Sequence, residues 1–328
     1  MRRSSKLINV VLACAAIFLA IPRADAGEAA YPVRPIRVVV PFVAGGGTDL
    51  LARLLAPKLT EALGQQIVID NRGGAGSILG TQIVSRSLAD GYTIGIFDTA
   101  FAINPGLAEK LPYDAERDFT FVAIIATSPT VLVTHPGLKV KNLQELIAAA
   151  KANPGKIRAG SAGVGSSSHL TIEMLNSAAK IKLLHVPYKG AGAAIQDILG
   201  GHCDLTFAVA GSVISQIQAG TMIALGVTGS KPSSLLPNVQ TFAAAGWPEV
   251  NPEAFRFVAA PAGISPAVNQ KLTSALSSIM QSQELRTRLV DNGFDPEFQT
   301  GREARAFVSR EIAKWRKAVK ESGVKASE

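Results

Sequence analysis

Residues 38–59 read VVVPFVAGGGTDLLARLLAPKL, and this stretch decides the fold. An apolar run ends at Pro41, three glycines follow at Gly45, Gly46 and Gly47, and residues 49–63 carry apolar positions at helical spacing. A strand, a glycine turn and a helix N-terminus form a general anion-holding device, because free backbone N–H groups and the positive helix end both face the turn. A Walker phosphate loop is excluded, since Thr48 and Asp49 stand where it needs Lys and Ser or Thr. An acid at the helix start caps N–H groups and repels a closely approaching phosphate dianion. A carboxylate, partly held by water or a hydroxyl, fits better. A tight turn explains one glycine, whereas three in a row also let a ligand approach the backbone.

Outward from this stretch, strand-like runs at 37–41, 66–69, 93–97 and 121–126 alternate with helical patterns at 49–63 and 78–88. A second series begins after Ser128-Pro129: a strand at 131–134, a helix at 143–151, then KIRAGSAGVGSSSHLTIEMLNSAA, another strand–turn–helix. A helix at 192–199 and strands at 204–209 and 222–228 complete it. Such alternation implies mainly parallel sheets flanked by helices, an α/β fold in two domains. Residues 230–253 are rich in Pro and turn residues and read as a crossing connection, followed by a strand at 255–260 and helices at 266–280, 284–290 and 302–321. The expected organisation is a discontinuous domain 1 (27–127 and 229–328) and a domain 2 (128–228). In open α/β sheets ligands bind beyond the carboxyl ends of strands, so the two glycine-rich turns would face one cleft.

The chain opens with Arg2, Arg3 and Lys6, an apolar run to Ile21, then Ala24-Asp25-Ala26, the pattern of a secretory signal peptide cleaved after about Ala26. A lipid attachment through Cys14 would leave the Ala24-Asp25-Ala26 site unexplained. Export leaves Cys203 as the one cysteine, so no internal disulfide forms. Without Arg2, Arg3, Lys6, Arg23 and Asp25, the 33 bases and 25 acids fall to a net charge of +5. The bases are scattered, which argues against nucleic acid.

The second turn, residues 161–169, brings Gly163, Gly165 and the hydroxyls of Ser166, Ser167 and Ser168 to a helix start. The serines can cap the helix or donate to a carboxylate, and His169 is either a packing residue or a polar cleft contact. No His/Cys/carboxylate spacing suits a metal, so neither metal nor cofactor is expected. Ala159-Gly160-Ser161-Ala162-Gly163 approximates a nucleophile elbow, the basis of an alternative reading as a secreted serine hydrolase using Ser161. The acid-then-histidine order that such an enzyme needs is poorly met. Gly74-Ala75-Gly76 imitates a dinucleotide fingerprint weakly, because Asp70-Asn71-Arg72-Gly73 separates it from its strand.

Taken together, YPVRPIRVVVPFVAGGGTDLLARLLAPKL, QQIVIDNRGGAGSILG, DGYTIGIFDTAFAINP, LPYDAERDFTFVAIIATSP, RAGSAGVGSSSHL, HVPYKGAGAAIQDILGGHCDL and EIAKWRKAVKESGVK closely resemble the Bug family, periplasmic solute-binding proteins of tripartite tricarboxylate transporters. The resemblance covers the whole mature chain in order. It implies a two-domain Venus-flytrap fold, a periplasmic monomer that closes on a small carboxylate and serves membrane transporter subunits, and no catalysis. In the family the carboxylate is held by backbone amides, hydroxyls and ordered waters. The matching positions here run from Phe42 through Ala44, Gly45 and Gly46 to Thr48, and from Ser161 through Gly163, Val164, Gly165, Ser166, Ser167 and Ser168 to His169. A third loop matches Asp98, Thr99 and Ala100. The chain departs from many relatives at Ala208-Val209-Ala210, where an apolar wall replaces an Asp or Gly followed by Asn or Ser. That disfavours an amino-acid ligand, although Asp98 could restore an anionic contact, and the absence of Arg or Lys from both turns disfavours a trianion. A mono- or dicarboxylate with an apolar or aromatic body is expected.

Overall fold

The computed structural model describes residues 31–229, 232–233 and 235–325. The expected signal segment, residues 1–26 with Cys14, lies outside them. The first lobe is built on β1 (Ile36–Val40), α1 (Gly47–Leu63), β2 (Ile67–Asn71), α2 (Ile78–Ser85), β3 (Thr93–Asp98), α3 (Ala100–Leu107) and β4 (Phe119–Ser128). The second follows as β5 (Thr130–Thr134), α4 (Leu143–Ala152), β6 (Arg158–Ser161), α5 (Ser167–Ala179), β7 (Leu184–Pro187), α6 (Ala191–Leu199), β8 (Leu205–Val209), α7 (Ile214–Gln218) and β9 (Ile223–Val227). The chain then returns through β10 (Ala254–Pro261), α8 (Pro266–Met280), α9 (Gln283–Asp291), β11 (Asp295–Thr300) and α10 (Gly301–Ser322).

Among the described residues the strands form two sheets, ordered β11-β4-β10-β3-β1-β2 and β7-β6-β8-β5-β9. In the first, β1 to β4 point one way and β10 and β11 run against them. In the second, β5 runs against the other four strands. The sheets are therefore mixed, as expected, but not mainly parallel: β5, β10 and β11 make the antiparallel pairings at least as frequent as the parallel ones. The chain passes between sheets at Pro129, where β4 runs straight into β5, and again between β9 and β10.

Central strands are apolar on both faces, as strands covered by helices on both sides must be. Ile36, Val38, Val39 and Val40 of β1 are all buried. On one side of the first sheet Phe97, Phe101, Phe119 and Phe257 pack with ring centroids 5.0–5.7 Å apart, in tilted and edge-on arrangements that aromatic quadrupoles favour. Trp315 of α10 is fully buried in the same cluster. That helix packs on β4 and α3, which brings the C-terminal segment back to the first lobe. No helix among the described residues is long and apolar enough to cross a membrane.

Candidate functional site

β1 ends at Val40, and residues 41–46 turn the chain into α1. Gly45 needs its glycine, with φ at +87°. Gly46 is the N-cap and has no side chain to satisfy the helix. The amides of Gly46, Gly47 and Thr48 consequently have no acceptor among the described residues. The Gly45 amide is taken: it donates to Asp49 Oδ2 at 2.9 Å, which also accepts from Arg53 Nε at 2.9 Å. The Arg53 bond holds the Asp49 carboxyl below its usual range against the opposing effect of burial. Asp49 thus locks the turn. Phe42 is half-buried and its carbonyl accepts from Asn71 Nδ2, while Ala44 stays exposed.

Thr48, Asp98 and Ala100 form one group at the end of β3. Asp98 Oδ1 accepts from the Ala100 amide at 2.9 Å, and Oδ2 from Thr48 Oγ1 at 3.4 Å. Thr99 Oγ1 accepts from the Phe255 amide at 3.2 Å, tying this loop to β10. Burial pushes the Asp98 carboxyl up, and Arg256 and these bonds draw it back. Arg256, directly opposite Asp98 in the β10–β3 register, is the residue that reading the turns alone misses. Strand alternation sends Phe255 and Phe257 into the aromatic core and Arg256 to the other face. It is 8% exposed, and its Nε and Nη1 are sealed from solvent without an acceptor. Nη2 lies 3.6 Å from where a Cβ on Gly47 would be, and the guanidinium lies 5.7 Å from the Phe294 ring centroid. The two turns do lack Arg and Lys, but a cation stands behind the first of them. A lone arginine inside AFRFVAAP was the available signal.

The second turn closes on itself. Ser166 Oγ accepts from the His169 amide at 3.3 Å and donates to the Gly163 carbonyl at 2.7 Å. Ser168 Oγ accepts from the Ala162 amide at 2.9 Å. His169 is buried, and its Nδ1 accepts from the Gly165 amide at 3.1 Å. Two of the three serines and the histidine are therefore engaged in the turn itself. Ser167 is exposed, with no side-chain bond to the described residues, and Val164 stands 44% exposed at the tip.

Ser161 lies beneath this turn. Its Oγ is 2.6 Å from His185 Nε2, and the His185 ring stacks on His169 at 3.7 Å with 6° between planes. Burial first, and the neighbouring ring second, push His185 down to about 4. Ser161 is fully buried, and among the described residues no carboxylate hydrogen-bonds the His185 ring. Glu173 lies 3.9 Å from His169 Nε2 and acts on His185 only through space, so a serine without access to substrate and a histidine with no carboxylate hydrogen-bonded to it lack the geometry of a nucleophile, base and orienting acid.

The lobes meet around a cavity of about 80 Å³. It brings Thr99 together with Ser167, Ser168, Ala208 and the carboxyl-bearing Glu253, while its apolar walls include Phe207, Val209 and Trp315. Ser161, Gly163, Gly165, Ser166 and His169 support the turn without lining this cavity, and Phe42 to Thr48, Asp98, Ala100, Val164 and Arg256 do not line it either. A larger cavity of about 510 Å³ presents Glu253, Asp295 and Glu297 against the single Arg310. Three carboxylates against one arginine disfavour an anion, although Glu253 is shared with the smaller cavity, so size does not make it the site. No group of described residues is arranged to hold a metal ion.

Residues 51–324 match the family described as "Tripartite tricarboxylate transporter family receptor". Protein BugT of Bordetella pertussis is 35% identical over 327 residues, covering 99% of each chain. A Rhodopseudomonas palustris protein solved with adipate superposes with a TM-score of 0.79 at 31% identity, covering 90% of this chain and 99% of its own. MatC of the same organism, solved with bound malate, gives a TM-score of 0.74 at 30% identity, covering 88% and 100%.

Proposed function

This chain belongs to the tripartite tricarboxylate transporter receptor family, and we propose that it is an exported, non-catalytic receptor that captures a small carboxylate between its lobes and presents it to the transporter's membrane subunits. In this reading residues 1–26 direct export to the periplasm and are removed. Residues 27–127 with 229–328 form one domain and 128–228 the other, and the mature protein is a monomer.

The observation that carries the reading is the open N-terminus of α1, where the amides of Gly46, Gly47 and Thr48 have no acceptor among the described residues; the cavity between the lobes adds the Ser167 hydroxyl and an apolar wall at Phe207, Ala208 and Val209. Amides and a hydroxyl suit a carboxylate, and the wall suits a hydrocarbon body. Of the relatives, one was solved with adipate and one with malate, which supports the same ligand class. Native mass spectrometry of protein purified without refolding tests the reading. A retained species with the mass of a mono- or dicarboxylate is expected. Retention of an amino acid or an uncharged sugar, with no stabilisation by any carboxylate in a thermal-shift panel, would overturn it.

A further inference from the structure

We infer that Arg256 is a specificity-determining residue of the site, reading a carboxylate of the ligand together with the free amides at the start of α1; this rests on the carboxylate reading above. Its side chain is more than nine-tenths buried, yet no hydrogen bond to the described residues satisfies it. A buried cation without acceptors is costly, and of the planar fork of guanidinium donors Nε and Nη1 are sealed from solvent, which leaves the Nη2 arm beside Gly47 to meet a carboxylate. Asp98 across the strand pair does not fill that fork: its oxygens accept from the Ala100 amide and the Thr48 hydroxyl, and no ion pair joins it to Arg256. Asp98 instead balances the charge from a distance.

Gly47 gives the arrangement its opening. A side chain there would begin 3.6 Å from Nη2 and stand between the guanidinium and the turn. The third glycine, which backbone conformation does not require, therefore keeps Arg256 and the amides of Gly46, Gly47 and Thr48 open to one anion. The other end of the ligand would reach Ser167 in the facing lobe. A diacid or a monocarboxylate seats a carboxylate at these donors, whereas a diester leaves the guanidinium unmatched.

The test is calorimetric titration of the mature protein with linear dicarboxylates of four to eight carbons and with their dimethyl esters. The expected result is a ten- to hundredfold or greater preference for a diacid over its diester. In Arg256→Gln the preference collapses to within about threefold, mainly through loss of diacid affinity, and Arg256→Lys restores part of it. Because Arg256→Gln can destabilise the fold, Gly47→Val serves as a second variant that screens Nη2 while leaving the buried charge in place; it should lose the preference too. A Gly47→Val protein that keeps the full preference would overturn the role of Arg256 while leaving the carboxylate receptor standing. A folded Arg256→Gln that keeps the preference would do the same and leave Arg256 as the counter-charge of Asp98 alone. Binding of neither class would sink both readings together.

Discussion

The two glycine-rich turns share one local plan and end in opposite chemistry. Both follow a strand and open a helix, yet the turn before α1 leaves Gly46, Gly47 and Thr48 amides without acceptors, while Ser166, Ser168 and His169 close the turn before α5 from within. The side chains that follow the glycines make the difference. Thr48 turns to Asp98, and Asp49 reaches back to a single amide, so the helix end stays open. Serines at the cap and two residues later, with a histidine after them, take up the amides of Ala162, Gly165 and His169, which leaves only those of Ser167 and Ser168 at that helix start without an acceptor among the described residues. A strand–glycine–helix pattern marks a candidate anion site, and the capping side chains decide whether the site remains free.

The sharpest way to break this comparison is to add a methyl group to one glycine of each turn. Gly165 has φ at +75°, and a Cβ there would lie 2.5 Å from Leu107 Cδ2 in the other lobe. Gly165→Ala should therefore cost roughly 1–3 kcal/mol of stability, lowering the melting temperature by several degrees. Gly46 has φ at −80°, and its Cβ would meet only the Val43 carbonyl at 3.7 Å. Gly46→Ala should change stability by less than about 0.5 kcal/mol, and the bulkier Gly46→Val should weaken ligand binding more than about a hundredfold by crowding the amides, a loss of about 3 kcal/mol. Calorimetry and thermal melts read both axes; a Gly46→Val protein with unaltered affinity would mean that the first turn is not the open one.

Acid offers a smaller effect that sharpens the same contrast, because the closed turn rests on two stacked imidazoles. The folded His185 value of about 4 lies below the ordinary 6.5, so the unfolded chain binds more protons between these values. Stability is fully present above pH 6.5 and is lost as pH falls through that window. At about 1.4 kcal/mol per pH unit the loss attributable to His185 is on the order of 2–3 kcal/mol by pH 4. Thermal melts of wild type and His185→Gln should diverge across this range, with the variant showing the shallower decline. Parallel curves would show that the imidazole pair does not carry the acid sensitivity.

Much of the fold was legible because its elements are long and periodic. The helices expected at 49–63, 143–151 and 266–280 lie at Gly47–Leu63, Leu143–Ala152 and Pro266–Met280. Short elements such as β7 (Leu184–Pro187) and α7 (Ile214–Gln218) were not read, and two longer ones escaped for physical reasons. The helix Ala100–Leu107 contains Pro105 and reads as a loop, and its packing against α10 supplies what local propensity does not. The strand Asp295–Thr300 is a half-buried edge whose sequence DPEFQT shows no alternation. The two turns were legible as places; their hydrogen bonding was not, because whether Ser166 and Ser168 bond inward depends on side-chain geometry. Arg256 stayed hidden for a related reason: its meaning comes from the register that sets it opposite Asp98, and that pairing joins residues far apart in the chain.

A crystal structure of the mature protein loaded with the diacid it binds best tests the central claim most directly. One carboxylate should accept from the Gly46, Gly47 and Thr48 amides with Arg256 Nη2 within hydrogen-bond distance, the hydrocarbon body should lie along Phe207, Ala208 and Val209, and the far end should meet Ser167. A diacid seated instead in the acid-lined cavity of Glu253, Asp295 and Glu297, or one held only by the second turn with the α1 amides still unaccepted, would contradict the account.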